Sequence, residues 1–156
     1  MPLTRLLLVA VAALAAGAAA CDGGSKCGPT KALVPQITDG DTIELDNGEK
    51  VRYLGVDTPE TYGQVDCYGP EAKAFNRDLV EGKEVKLEYD VECRDMYGRL
   101  LAYVYVDGQM VNRVLLERGY ARVLIIPPNG EKYEQELRDL EAVARNGAVG
   151  LWGACQ

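Results

Sequence analysis

The chain has 156 residues, 47% of them apolar, a formal charge of −7 and no histidine. That length makes one domain with a sizeable core and leaves little room for a second. The negative charge excludes grip on nucleic acid by diffuse attraction to phosphates, so any phosphate chemistry needs a local cation cluster and a bound metal.

In chain order, the first element is a leader. Arg5, the apolar stretch Leu6 to Leu14 and the small residues Ala15 to Ala20 form an export signal over residues 1–20, too short to span a bilayer as a mature helix. The alanines before Cys21 match a permissive lipobox, with Ala18 where a branched residue is usual. Cys21 is therefore expected to be acylated and to attach the protein to a membrane, ordinary secretion being the alternative. Either route places the mature protein outside the cytoplasm, as a periplasmic or cell-surface lipoprotein or a secreted protein. Residues 21–30 are polar and Gly-rich and read as a flexible tether, and residues 31–156 as the folded domain.

Within the domain, Ala32–Thr38, Thr42–Leu45 and Lys50–Leu54 read as three strands, with turns at Asp39-Gly40 and Asp46-Asn47-Gly48. Tyr68-Gly69-Pro70-Glu71 opens a helix with Ala72, Phe75 and Leu79 on one face and Gly82 past its end. Lys83–Val91 and Leu100–Val106 are strands four and five, and Val111–Arg118 is a second helix. A third helix from about Glu131 to Asn146 carries Tyr133, Leu137, Leu140 and Ala144 on one face; Trp152 is read as a core plug or terminal anchor. This order predicts an α+β fold, a five-stranded oligonucleotide/oligosaccharide-binding (OB) barrel with three helices, and a monomer.

With Cys21 set aside, Cys27, Cys67, Cys93 and Cys155 remain, an even number suited to two disulfides in an oxidising compartment. The absence of a CxxC pair and of histidine argues against zinc. Cys67 and Cys93 lie in loops flanking the candidate site, and Cys27 and Cys155 lie at the two domain ends, so Cys67–Cys93 and Cys27–Cys155 are the expected pairs.

Three clusters carry chemistry. Asp39-Gly40-Asp41-Thr42, taken alone, is a capped turn. The second runs from Arg52 to Asp57-Thr58-Pro59-Glu60-Thr61. Asp41 and Asp57, carboxylates on separate turns, suit a hard cation that also takes a backbone carbonyl, water and a substrate phosphate. Glu60 is the candidate to hold or deprotonate the attacking water. In the third, Asp95-Met96-Tyr97-Gly98-Arg99, Arg99 would join Arg52 in clamping the charge that builds on a phosphate during hydrolysis.

DGDT, RYLGVDTPET, YGPEA, DMYGRLLAYVYVDGQMVN and the terminal GLW together resemble the staphylococcal nuclease family over roughly residues 32 to 153. The resemblance implies Ca²⁺ held by Asp41, Asp57 and the carbonyl of Thr58, water activation by Glu60, and a phosphate clamp of Arg52 and Arg99. Tyr97 would donate its hydroxyl to a neighbouring phosphate. The implied activity is hydrolysis of DNA and RNA, single strands preferred, to 3′-phosphates.

The chain departs from the family in substrate grip. The lysine-rich loop before YGPEA is here Tyr62-Gly63-Gln64-Val65-Asp66-Cys67, the lysine before the YGR triplet is Met96, and Leu124 to Pro128 replace stacking tyrosines. Weaker substrate binding is expected, since each stacked aromatic contributes ~1–3 kcal/mol per base. The alternatives are a non-catalytic OB module that binds nucleic acid or protein, and a disulfide-stapled structural module. Retention of the whole acid and arginine set speaks against both.

Overall fold

A computed structural model describes residues 25–155. The leader, Cys21 and its acylation lie outside the described residues. Among those described, no helix is long and apolar enough to cross a membrane.

The strand predicted over Ala32–Thr38 is interrupted at Val34-Pro35. It forms β1 (Lys31–Leu33) and β2 (Gln36–Asp39), followed by β3 (Thr42–Glu44), β4 (Lys50–Tyr53) and β5 (Gly55–Asp57). Helix α1 (Gly69–Val80) precedes β6 (Glu84–Arg94) and β7 (Leu100–Val106). Then come β8 (Gln109–Met110), α2 (Val111–Glu117), β9 (Arg122–Leu124), a 3-10 turn at Glu131–Tyr133, α3 (Glu134–Asn146) and the short α4 (Leu151–Ala154).

The interruption at Pro35 closes the barrel. The main sheet has the order β1-β6-β7-β4-β3-β2, with β8 added on β7. Its two outermost strands are consecutive in the chain, so one bent segment joins both edges and leaves no long free edge. Proline fits the bend because it has no N–H to give a ladder. Neighbouring Val34 is pinned both ways, its N–H donating to Lys83 O and its carbonyl accepting from Gly82 N–H. Strands β4 and β7 pair in parallel, Val51 opposite Leu100. A second ribbon pairs β5 with β9, Asp57 opposite Arg122; neither strand was expected, since three residues carry too little periodicity to read.

The alternating residues of the strands fill one core, with Val34, Ile43, Val51, Val85, Leu100 and Val104 fully buried. Leu115, Leu116 and Leu137 bring α2 and α3 onto it. Helix α1 presents an unexpected polar residue inward. Asn76 is wholly buried; its amide donates to Asp39 O and its carbonyl accepts from the Tyr53 hydroxyl. One side chain thus ties α1 to β4 and to the end of β2. Asn112 does similar work in α2, accepting from Val104 N–H and donating to Leu54 O.

Trp152 is half-buried rather than a core plug; neighbouring Leu151 fills that role. The guanidinium groups of Arg122 and Arg145 stand over the indole, 4.8 and 4.5 Å from its ring.

The disulfides connect Cys27 to Cys93 and Cys67 to Cys155, which corrects the expected Cys67–Cys93 and Cys27–Cys155. Antiparallel register explains the first bond. Lys31 faces Lys86 and Leu33 faces Glu84, so the chain before β1 runs on along β6. Thr30 O accepts from Leu87 N–H and Pro29 O from the Tyr89 hydroxyl, which delivers Cys27 beside Cys93. The C-terminal end goes elsewhere: Leu151 N–H donates to Gly119 O, and α4 carries Cys155 to a cleft shared with Cys67, Asp57, Thr58, Glu60 and Arg122. A digest of unreduced protein will yield Cys27–Cys93 and Cys67–Cys155 peptides. The C67S/C155S double variant will unfold in urea with about 2–5 kcal/mol less stability, given the long loop this bond closes.

Candidate active site

The DGDT turn between β2 and β3 is held by its own side chains. Asp39 Oδ1 accepts from Gly40 N–H at 2.8 Å and from the Thr61 hydroxyl at 2.9 Å, which fastens the turn to the loop after β5. Asp41 is buried, as a carboxylate may be only when its oxygens are satisfied. Its Oδ2 accepts from Thr58 N–H at 2.9 Å and the Thr58 hydroxyl at 3.0 Å, and its Oδ1 from the Thr42 hydroxyl at 3.0 Å. Both threonines stand in the two motifs, yet sequence alone assigned a side-chain role to neither.

Arg52, at the end of β4, faces these acids. Its Nη1 donates to Tyr53 O and Val56 O at 2.7 and 2.6 Å. Its Nη2 bonds Asp57 Oδ1 at 2.7 Å and lies 3.3 Å from Asp41 Oδ2. The two carboxylates predicted to bind metal thus converge on one nitrogen. Nη1 is occupied by carbonyls and Nη2 by the two carboxylates, which leaves Nε as the N–H open to a phosphate.

Arg99 reaches the same hollow from the turn between β6 and β7. Asp95 builds that turn by accepting from the backbone N–H groups of Tyr97 and Arg99 and from Arg99 Nε, the last at 2.7 Å. Gly98, at φ +81°, supplies the left-handed residue the turn needs. With Nε held, both terminal nitrogens of Arg99 remain open.

Glu60 is exposed, on the loop after β5. Its backbone is paired with Asp66, which donates its N–H to Glu60 O at 3.0 Å. Gly69, at the start of α1, packs so closely on Glu60 O that a Cβ there would lie 2.5 Å from it. Helix and loop therefore fix the height of Glu60 together. Neighbouring protein atoms that thin the water around it, reinforced by the carboxylates of Asp39, Asp41, Asp57 and Asp66, push the Glu60 carboxyl above its ordinary pKa although the residue is exposed. Burial raises Asp57 too, with Asp41 adding to the rise and Arg52 opposing it.

Asp41, Asp57, Thr58, Glu60, Arg52 and Arg99 all line one hollow of about 320 Å³, together with Asp39, Thr42 and Lys50. Tyr97 does not. It is 75% exposed, packs over Arg99 with the guanidinium carbon 5.4 Å from its ring, and lines an adjoining apolar groove with Leu54, Leu101, Leu124 and Ile126. The groove and the hollow share Arg52 and Arg99 as their common wall.

The donor set is all oxygen. Among the described residues no three His, Cys, Asp or Glu side chains converge on one point. Two carboxylates that meet at a cation, with open space beside them, fit a hard divalent ion whose remaining positions go to carbonyl, water and phosphate oxygens.

Comparison with known proteins agrees with this arrangement. A family model described as staphylococcal nuclease homologue matches residues 50–154. Endonuclease YncB of Bacillus subtilis (strain 168) is 46% identical over 73% of this chain and 57% of its own length. The SPbeta prophage-derived endonuclease YokF of the same strain is 42% identical over 75% of this chain and 42% of its own length. This chain therefore spans less than two thirds of either Bacillus protein. The Thermonuclease of Staphylococcus intermedius is 40% identical over 77% of this chain and 74% of its own length.

The Arg52→Lys variant will test the structural half of this geometry. An ammonium cannot serve Tyr53 O, Val56 O and Asp57 in one plane, so we expect a loss of about 1–3 kcal/mol in denaturant unfolding.

Proposed function

The chain belongs to the staphylococcal nuclease family, and from that premise we propose that it is a Ca²⁺-dependent endonuclease that hydrolyses DNA and RNA, with single strands preferred, to 3′-phosphate products. The observation that carries this reading is the single hollow shared by two metal-competent carboxylates, a carboxylate of raised pKa and two arginines. The export signal and Cys21 support work outside the cytoplasm as a lipoprotein or secreted enzyme, and the two disulfides suit that oxidising setting.

In this reading Asp41 and Asp57, with the carbonyl of Thr58, hold the cation. When bound, Ca²⁺ supplies charge to the phosphate oxygens and acidifies associated water. Asp41 is pre-set for the task by Thr42 and Thr58, which fix both of its oxygens before any ligand arrives.

Glu60 takes the proton of the attacking water as the water oxygen bonds to phosphorus and the P–O5′ bond breaks, the departing 5′-oxygen taking a proton from solvent. Desolvation first, and the surrounding carboxylates after it, raise the pKa of Glu60, the direction that suits a proton acceptor. Arg52 through its Nε, and Arg99 through its two free terminal nitrogens, meet the equatorial oxygens as charge grows on them. Tyr97, in the groove rather than the hollow, is set to donate to a neighbouring phosphate.

A carbonyl-anchored arginine and an Asp-anchored arginine are held by bonds within the protein itself, so little reorganisation is needed when charge develops. A merely binding OB module would have no use for that rigidity, nor for an exposed carboxylate of raised pKa beside it.

Purified mature protein will degrade single-stranded DNA with Ca²⁺ and stop when a chelator is added; equal rates with chelator would refute the metal role. Glu60→Gln will lower kcat by roughly 10²–10⁴-fold with unchanged thermal stability. A rate within about twofold of the parent would remove Glu60 from the chemistry.

A further inference from the structure

Tyr62 stands in the loop where the family resemblance leads one to expect lysines, and its ring is 72% exposed. An isolated exposed tyrosine needs no explanation, but this one has company. Lys73, on the first turns of α1, sets its ammonium 5.7 Å from the centre of the Tyr62 ring. Most arginines and several lysines of this acidic protein are neutralised in ion pairs, yet none of the pairs among the described residues involves Lys73.

The loop that presents the ring is fastened at both ends. Thr61, just before it, donates to Asp39 Oδ1, and Cys67, five residues after it, is bonded to Cys155. Between them, Asp66 N–H donates to Glu60 O and Asp66 Oδ2 accepts from Glu60 N–H at 3.3 Å. Tyr62 follows Glu60 by two residues, a span of at most about 7 Å. An exposed ring on a fixed loop, backed by a free ammonium and two residues along the chain from the proposed catalytic carboxylate, is the arrangement that single-stranded nucleic acid uses for stacking and phosphate contact.

Position in the site gives it a direction. The apolar groove bearing Tyr97 adjoins the hollow across Arg52 and Arg99, and its lining includes neither Glu60, Asp41 nor Asp57. Tyr62 extends the loop of Glu60, which lines the hollow and not the groove.

We infer that Tyr62 and Lys73 form a second nucleotide subsite, which stacks a base and contacts a phosphate of single-stranded substrate on the side of the scissile bond away from the Tyr97 groove. This rests on the proposed nuclease activity. It means that the chain grips this side with one stacking ring and one ammonium in place of a lysine-rich loop. Stacking is sequence-tolerant, because every base has a π-face, so the subsite lengthens the footprint without adding base specificity.

The test compares two substrates and one binding assay. The substrates are a single-stranded DNA oligonucleotide and a p-nitrophenyl phosphodiester of thymidine, which offers only one nucleoside. Tyr62→Ala will raise KM on the oligonucleotide about 5- to 150-fold, the loss that unstacking one base gives, with kcat and the small substrate unaffected. Tyr62→Phe will behave as the parent. Lys73→Ala will lower the slope of log KM against log salt by about 0.7, one phosphate contact to a single strand. Fluorescence anisotropy of a labelled oligonucleotide will report the same losses without turnover. Oligonucleotide KM and anisotropy within twofold of the parent in Tyr62→Ala, or equal loss on both substrates, would overturn the subsite. Binding through Tyr62 by a parent that cleaves neither substrate would keep the subsite and overturn the nuclease reading instead.

Discussion

The guanidinium of Arg52 is the constraint on which the site depends. It sits at the end of β4, yet its Nη1 closes on two carbonyls of the next few residues and its Nη2 gathers acids from two different loops. Without it, Asp41 and Asp57 would be like charges brought together, one buried and the other half-exposed, and repulsion would push the DGDT turn and the DTPET loop apart. Burial raises the pKa of Asp57, Arg52 opposes the rise and Asp41 adds to it.

Around that pair the fold adds rigidity through polar bonds rather than apolar packing alone. Tyr53, Asn76 and Asp39 form a relay from β4 through α1 to the first turn, in which the Tyr53 hydroxyl and both ends of the Asn76 amide have partners. The loop of Glu60 is braced from the opposite direction, by Gly69 beneath its carbonyl and by the Cys67–Cys155 bond at its far end. Helix α1 therefore touches both acidic loops. Its contribution is to hold them at a fixed separation, which matters for chemistry in which small displacements of a reacting group cost rate.

Much of this was legible in the sequence. The five barrel strands, the first three helices and the six residues that share the hollow all stand in motifs with period, turn or charge signals. What escaped had physical reasons. The split at Pro35 was hidden because a bent strand keeps its apolar pattern on both sides of the bend. Strands β5 and β9 are three residues each, and they exist only because they find one another across the fold. The buried Asn76 breaks no helical signal and so gave none. Cysteine pairing failed because domain ends were treated as neighbours, whereas β1 carries the N-terminal segment along β6 and away from the C-terminus. Thr42 and Thr58 act through hydroxyls that no spacing rule singles out.

The sign of the whole-chain charge is the remaining tension, since a protein at −7 repels the polyanion it is proposed to cut. Distance resolves it. Exposed charges more than about 8–10 Å apart are largely screened at physiological ionic strength, so the far surface slows encounter but hardly affects a bound strand. What a bound strand feels is local: Arg52, Arg99 and Lys50 line the hollow beside Asp39, Asp41, Asp57 and Glu60, whose charge a bound cation would offset, and Arg122 stands in the cleft beside it. Among the described residues neither Lys50 nor Arg122 enters an ion pair, whereas Arg94, Arg138 and Arg145 are matched by carboxylates. Net charge is thus a poor guide to this surface, because its acids neutralise bases in one place and leave them free in another. A nuclease built so would associate slowly and rely on short-range contacts once engaged, which is the regime in which a single well-placed aromatic ring counts most.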